Sequence, residues 1–188
     1  MIAQIFPDDP ATLLTGLAAI LCLSSSPAFG NRKAMLTAQL AASAFFLAHY
    51  LCLGITVAAA ANALGFVQTL AAILAPCSAR MNRLGYGLIG LMLLGGFWFW
   101  QGPISGLSML AMTAIALGRM QTDQLRLRLL LLAGGAAWIA HDFIGEAWLA
   151  LVADIGAFMI GLVALVAMHV CIRIEWRLPA PMSANPAA

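Results

Sequence analysis

A chain of 188 residues that is 63% hydrophobic and 9% charged is excluded from the water-soluble class, where roughly a quarter of residues carry charge. Its mean hydropathy of +0.98, with several uncharged runs of about 18 residues or more, fits spans through a hydrocarbon core about 30 Å thick. The net charge of +2 carries no nucleic-acid signature, because the basic residues fall where membrane topology places them.

The N-terminal MIAQIFPDDP has no basic n-region, so a cleaved signal peptide is not expected. Seven helices are predicted, at about 10–27, 34–52, 55–75, 84–101, 103–118, 126–141 and 147–171. Residues 34–75 hold no Asp, Glu, Lys or Arg and as one helix would reach about 63 Å, so they read as two crossings turned near Gly54. Residues 84–118 break in the same way at Gly102-Pro103. Helix four carries Gly85, Gly87, Gly90, Gly95 and Gly96, which are expected to let neighbouring helices approach closely. The Pro/Ala-rich tail from Leu178 to Ala188 is expected to be disordered.

The charges test this count. Arg32 and Lys33 lie after helix one, Arg80 and Arg83 after helix three, Arg119, Arg126 and Arg128 after helix five, and Arg173 and Arg177 after helix seven. The opposite side carries Asp8, Asp9, Asp142 and Glu146, which read as solvated acids, and no Lys or Arg. The positive-inside rule then puts the N-terminus outside and the C-terminus in the cytoplasm.

The second half repeats the first at an offset of 92 residues: Ala48-His49 recurs as Ala140-His141, Asn62 as Asp154 and Phe66 as Phe158. The offset maps helices two and three onto six and seven, and roughly helix one onto five. Two copies of three helices face the same way only if one helix separates them. The expected fold is therefore an all-α integral membrane protein of seven transmembrane helices in a 3+1+3 arrangement of parallel repeats. Its units are residues 1–78, a linker helix 79–101, residues 102–172, and a cytoplasmic tail 173–188.

The repeat carries the polar residues of interest. His49 and His141 end helices two and six on the outer side, as a gate or pocket rim or as interfacial hydrogen-bonders. Asn62 and Asp154 lie about seven residues into their helices, roughly 11 Å below that surface. A bare Asp at that depth costs several kcal/mol, so Asp154 must face protein or water, as a solute or proton contact or as a helix–helix hydrogen-bonder. Phe46 and Trp138, one turn inward of the histidines, could stack on a ring-shaped solute or simply pack. Ala61, Gly65 and Thr69 recur as Ala153, Ala157 and Gly161, small-xxx-small stripes that let helices cross closely. Gln39 and Gln68 are intramembrane amides without a repeat partner, and His169 falls at the cytoplasmic interface. Cys22, Cys52, Cys77 and Cys171 form no CxxC pair and read as small apolar filler rather than as a metal or disulfide site. No HExxH, GxSxG, P-loop or intramembrane aspartate pair is present, so neither an enzyme nor a cofactor is expected.

With AHYLCLG, NALGFVQTLAAI and WIAHDFIGEAW in order, the chain resembles the YgjV-type bacterial inner-membrane proteins over nearly its whole length. The resemblance implies a multi-pass protein of the bacterial inner membrane, distantly related to the PQ-loop and SWEET-type sugar facilitators with their three-one-three arrangement. In SWEET-type proteins an Asn on helix three and another on helix seven meet the sugar, and Asn62 and Asp154 are the positional counterparts. The chain departs from that pattern in having no Pro-Gln pair in helix one or five, Asp154 in place of an amide, and Gly65 where the YgjV pattern carries a basic residue. The family brings no settled function; the residues and the repeat point to a facilitator or a proton-coupled carrier for a polar organic solute, with Asp154 as the coupling residue and alternating access as the mode. The alternative is a non-transporting scaffold, sensor or accessory subunit. Partners are the lipid bilayer and a small polar solute, with a homo-oligomer allowed.

Overall fold

The structure, a computed structural model, describes residues 9–175. It is a bundle of seven helices: α1 Pro10–Ser25, α2 Arg32–Cys52, α3 Thr56–Leu74, α4 Ala79–Trp98, α5 Pro103–Met120, α6 Gln124–Ile144 and α7 Trp148–Glu175. Short 3-10 turns at Ser26–Ala28 and Ala75–Cys77 finish α1 and α3, each around a proline. Among the described residues there is no strand. Asp8, Arg177 and the predicted disordered tail lie outside the described residues, as do the side chains of His169, Cys171 and Arg173.

Six helices are long and apolar enough to cross a membrane, and α4 is not among them. It has 20 residues, but Arg80, Asn82 and Arg83 occupy its first turns. Its course nevertheless matches that of a crossing. Gly85 near its start lies against Ala71 of α3 and Met120 at the end of α5, while Gly96 near its end lies against Met109 of α5. The other three glycines of α4 have nothing close to them, so close approach is built on two positions rather than five.

The helices begin at their caps, not at the first apolar residue. Asn31 accepts from the Ala34 N–H at 2.8 Å, Ser78 from Met81 at 3.4 Å, and Asp123 from Arg126 at 2.9 Å. Those caps draw Arg32, Arg80 and Arg83 into helices where loops were expected, and α5 runs on through Arg119. Asp9 caps α1, accepting from the Thr12 N–H at 2.9 Å and the Thr12 hydroxyl at 2.7 Å. These bonds hold its carboxyl below the ordinary carboxylate value, so the cap contributes above the unfolded value and is lost as pH falls through the lowered one.

The backbone repeats itself at the same offset as the sequence. α2 and α6 are both 21 residues long, with starts at 32 and 124, and α3 and α7 start at 56 and 148. Their N-caps Asn31 and Asp123 correspond. The α2–α3 turn is closed by Leu53 N–H to His49 O, Gly54 to Leu51 O and Ile55 to Tyr50 O. The α6–α7 turn is closed by Gly145 to His141 O, Glu146 to Phe143 O and Ala147 to Asp142 O. At the matching turn position each chain path is left-handed: Gly54 has φ 71° and Glu146 has φ 54°. Glycine takes that conformation freely, whereas a side chain there is strained.

Within each half α2 packs on α1 and α3, and α6 packs on α5 and α7; across the halves α3 meets α5 and α7 meets α1. At the basic end two arginines tie these halves together. Arg32 donates from Nη2 to Arg119 O at 2.7 Å and Ala72 O at 2.9 Å, and from Nε to Gln121 O at 2.6 Å. Arg128 donates to Pro27 O at 2.8 Å and Phe29 O at 2.6 Å. Carbonyls 27 and 29 are the offset partners of 119 and 121, so each half clamps the same frayed carbonyls of the other. The best-packed core lies at this end, around Met35, Leu36, Ala72, Ile89, Ala116, Met120 and Leu127. Above it the bundle is hollow.

Candidate functional site

A cavity of about 510 Å³ occupies the bundle above that core. One stripe of each central helix lines it. On α2 the stripe is Met35, Gln39, Ala42, Ser43, Phe46 and Tyr50; on α6 it is Arg128, Leu131, Leu132, Gly135, Trp138 and Asp142. Steps of three and four residues keep each set on one helix face. α3 adds Ala58, Ala61, Asn62 and Gly65, and α7 adds Ala150, Asp154, Ala157, Phe158 and Gly161. Ala58, Tyr50 and Ala150 carry the lining up to the end opposite the basic core.

The cavity brings together four of the residues singled out in sequence: Asn62, Asp154, Phe46 and Trp138 all line it. Asn62 donates its amide to Ala58 O at 2.9 Å one turn back, which leaves the amide oxygen free of its own helix. The small-residue stripes behave differently from expectation. Ala61, Gly65, Ala157 and Gly161 face the cavity, so their short side chains make room for it, and Gly161 also sits at a close approach, where a Cβ would meet Leu132 of α6 at 3.2 Å. Thr69 is fully buried and turns its hydroxyl back to Gly65 O at 2.7 Å.

The histidines do not line the cavity. His49 Nδ1 bonds Thr12 O at 2.9 Å, and its ring lies over Gly16, where a methyl group would meet it at 3.0 Å. That contact joins α1 to α2. His141 makes no equivalent bond; its Nδ1 lies 2.9 Å from Asp142 Oδ1, and its ring packs edge-on against Trp138.

Asp142 is not a solvated loop acid. It sits inside α6, is 4% exposed and lines the cavity. Its Oδ2 is buried without a partner among the described residues, and Asp154 of α7 lines the same cavity. Packing of α6 on α7 brings Asp142 and Asp154 to one cavity wall, where no intramembrane pair of aspartates was expected. Its signal lay in the pattern: Asp142 is one turn beyond Trp138 and is the offset partner of Tyr50.

Two further groups escape a reading of basic residues as topology alone. Arg119, on the Met112–Ala116 face of α5, points inward. Its Nε donates to Gln39 Oε1 at 2.8 Å and its Nη1 to Gln68 Oε1 at 3.4 Å. Gln68 is itself anchored by its amide to Ala116 O at 3.1 Å, which turns its oxygen towards the guanidinium. Both glutamines are buried. Arg128 is 4% exposed, lines the cavity and keeps its Nε unpartnered. Among the described residues the one salt bridge is His141–Asp142, so neither arginine has an acidic partner. Of the cysteines, Cys22 is half-buried while Cys52 and Cys77 are exposed on the bundle surface, so those two do not fill the core.

Residues 10–171 match the family Imp-YgjV, described as a bacterial inner membrane protein. The chain belongs to the Imp-YgjV family. Membership and six apolar spans make it a multi-pass protein of the bacterial inner membrane, in contact with the lipid bilayer. Among curated proteins and among solved structures nothing matches. In this Imp-YgjV member the matched region contains the whole cavity lining.

Proposed function

We propose that the chain is a small carrier for a polar organic solute, in which two three-helix units rock about the cavity between them. The observation that carries this reading is the cavity itself, about 510 Å³ and shared by Asn62 and Asp154 from equivalent positions of the two halves. A helix-locking role for Asp154 would bury it dry against a partner side chain. A cavity of this size holds on the order of fifteen waters at about 30 Å³ each. Packing supports a rocking motion as well: the cross-half contacts α3–α5 and α7–α1 are exchanged by the same offset that exchanges the halves, as a two-fold axis along the membrane normal requires. In this reading the arginine clamps and the core close the basic end, and the lining, which runs from Pro27 and Arg128 to Tyr50, Ala58 and Ala150, opens at the other.

Proton coupling is assigned to Asp154. Two carboxyls on one cavity wall disfavour a second negative charge, so one of them holds a proton, and a solute that displaces it couples the two fluxes. The titratable and charged groups facing Asp154 are Asp142, Tyr50, Arg119 and Arg128 on the cavity wall, with His141 bonded to Asp142. In proteoliposomes with an imposed pH gradient, wild-type uptake should follow the gradient and Asp154→Asn uptake should not. Flux that keeps its pH profile in Asp154→Asn would sink the coupling.

A further inference from the structure

We propose that the solute is bipolar: a cationic group, an ammonium, meets Asp142 and Asp154, and an anionic group, a carboxylate, meets Arg119. This rests on the carrier reading and names its substrate class. The cavity is divided by charge. Its two acids stand towards the open end and its two arginines towards the core, and no acid of the wall pairs with either arginine. Two buried atoms remain unsatisfied, Asp142 Oδ2 and Arg128 Nε, one at each end of the same cavity. An ammonium satisfies Asp142 Oδ2, and a carboxylate at Arg119 supplies the counter-charge that no acid of the described residues gives the two arginines.

The spacing sets the size of the solute. Asp154 stands at the level of Asn62, six residues into its helix in each case. Gln68, which holds Arg119, lies six residues further down α3, so the acidic and basic levels are about 9 Å apart at 1.5 Å per residue. Hydrogen bonds take up about 2.8 Å at each end, but α5 and α7 are not packed neighbours, so the gap across the cavity adds to this axial rise and favours an extended ω-amino acid or a short peptide over an α-amino acid. Between the levels Phe46 and Trp138 offer apolar walls to the carbon chain. Arg119 suits the anionic end because Gln39 and Gln68 hold it by Nε and Nη1, which fixes the guanidinium plane and leaves the second terminal nitrogen for a carboxylate oxygen.

The test is binding by calorimetry to the purified full-length protein in detergent, with six-carbon probes: aminohexanoate, hexylammonium, hexanoate and hexanediol, with glycine as the short zwitterion. Aminohexanoate should bind at least tenfold more tightly than each of the others. Arg119→Gln should reduce that preference to the level of hexylammonium, and Asp154→Asn to the level of hexanoate. Arg119→Lys, which keeps the charge, should retain it and shows that loss in Arg119→Gln is not misfolding. Equal binding of all probes, tightest binding of the neutral diol, or a preference untouched by Arg119→Gln in a protein that melts like wild type would overturn the proposal. Flux in liposomes separates the two readings. Binding of aminohexanoate without flux removes the carrier and keeps the bipolar site, and flux of a neutral solute without zwitterion binding does the reverse.

Discussion

The strain in this bundle is concentrated at Glu146. It holds a left-handed backbone at the α6–α7 turn, where the matching residue of the α2–α3 turn is Gly54. The two turns carry the same set of backbone hydrogen bonds, so the comparison isolates the side chain. Left-handed geometry costs an L-residue about 1–2 kcal/mol, and glycine avoids it at some expense of unfolded-state entropy. Glu146→Gly should therefore stabilise the protein by up to about 1 kcal/mol, and Gly54→Ala should destabilise it by about 1 kcal/mol or more. Thermal melts of the two variants in the same detergent check both signs. Residues of this kind were half legible. The position of the turn near Gly54 follows from the length of an uncharged run, but that Glu146 is its counterpart in backbone angle follows only from the fold.

At the scale of elements the arginine clamps are the telling feature. Positive-inside placement explains why Arg32 and Arg128 are near one membrane face, and it says nothing of what they hold. In the structure they satisfy the last carbonyls of α1, α3 and α5, groups that a helix leaves orphaned at its C-terminus. A hydrogen bond from a charged donor contributes about 1.5–3 kcal/mol, and removing the donor leaves acceptors unpaired. Arg128→Gln is expected to lower stability by about 2–3 kcal/mol, read as loss of the folded fraction in a denaturant or detergent titration. A variant as stable as wild type would show that the Pro27 and Phe29 carbonyls find water instead. The Arg32 clamp crosses from α2 to α5 and the Arg128 clamp from α6 to the end of α1, so both must break if the two units rock apart at the basic end.

For the molecule as a whole, the arrangement predicts orientation. All described Lys and Arg residues sit at the end where the clamps and the core lie, and on the carrier reading the cavity opens away from it. If that end is cytoplasmic, a fluorescent protein fused to the C-terminus should light up in cells, while alkaline phosphatase fused in the α2–α3 turn should be active. The reverse pattern would turn the cavity to the cytoplasm and invert the direction of any carrier. An aromatic cluster supports a membrane interface at the open end: Phe97, Trp98, Phe99, Trp100 and Trp148 are all exposed there, with Trp98 at 85%.

What the sequence determined by itself was everything set by local pattern. Spans follow from uncharged length, the gathering of basic residues at one end from the ordering of charges, and the doubled unit from an offset that needs no partner to be seen. Asn62, Asp154, Phe46 and Trp138 were legible because the repeat marks them and a polar residue deep in an apolar helix must face something other than lipid. The tertiary structure alone decided which way side chains near helix ends turn. Asp142 lies two residues from the end of α6 and Arg119 one residue from the end of α5, where a long or short polar side chain reaches water or the interior with little change of sequence pattern. Only the packing of α6 on α7 and of α5 on α2 and α3 sends both inward, and with them the cavity acquires its two opposite charges.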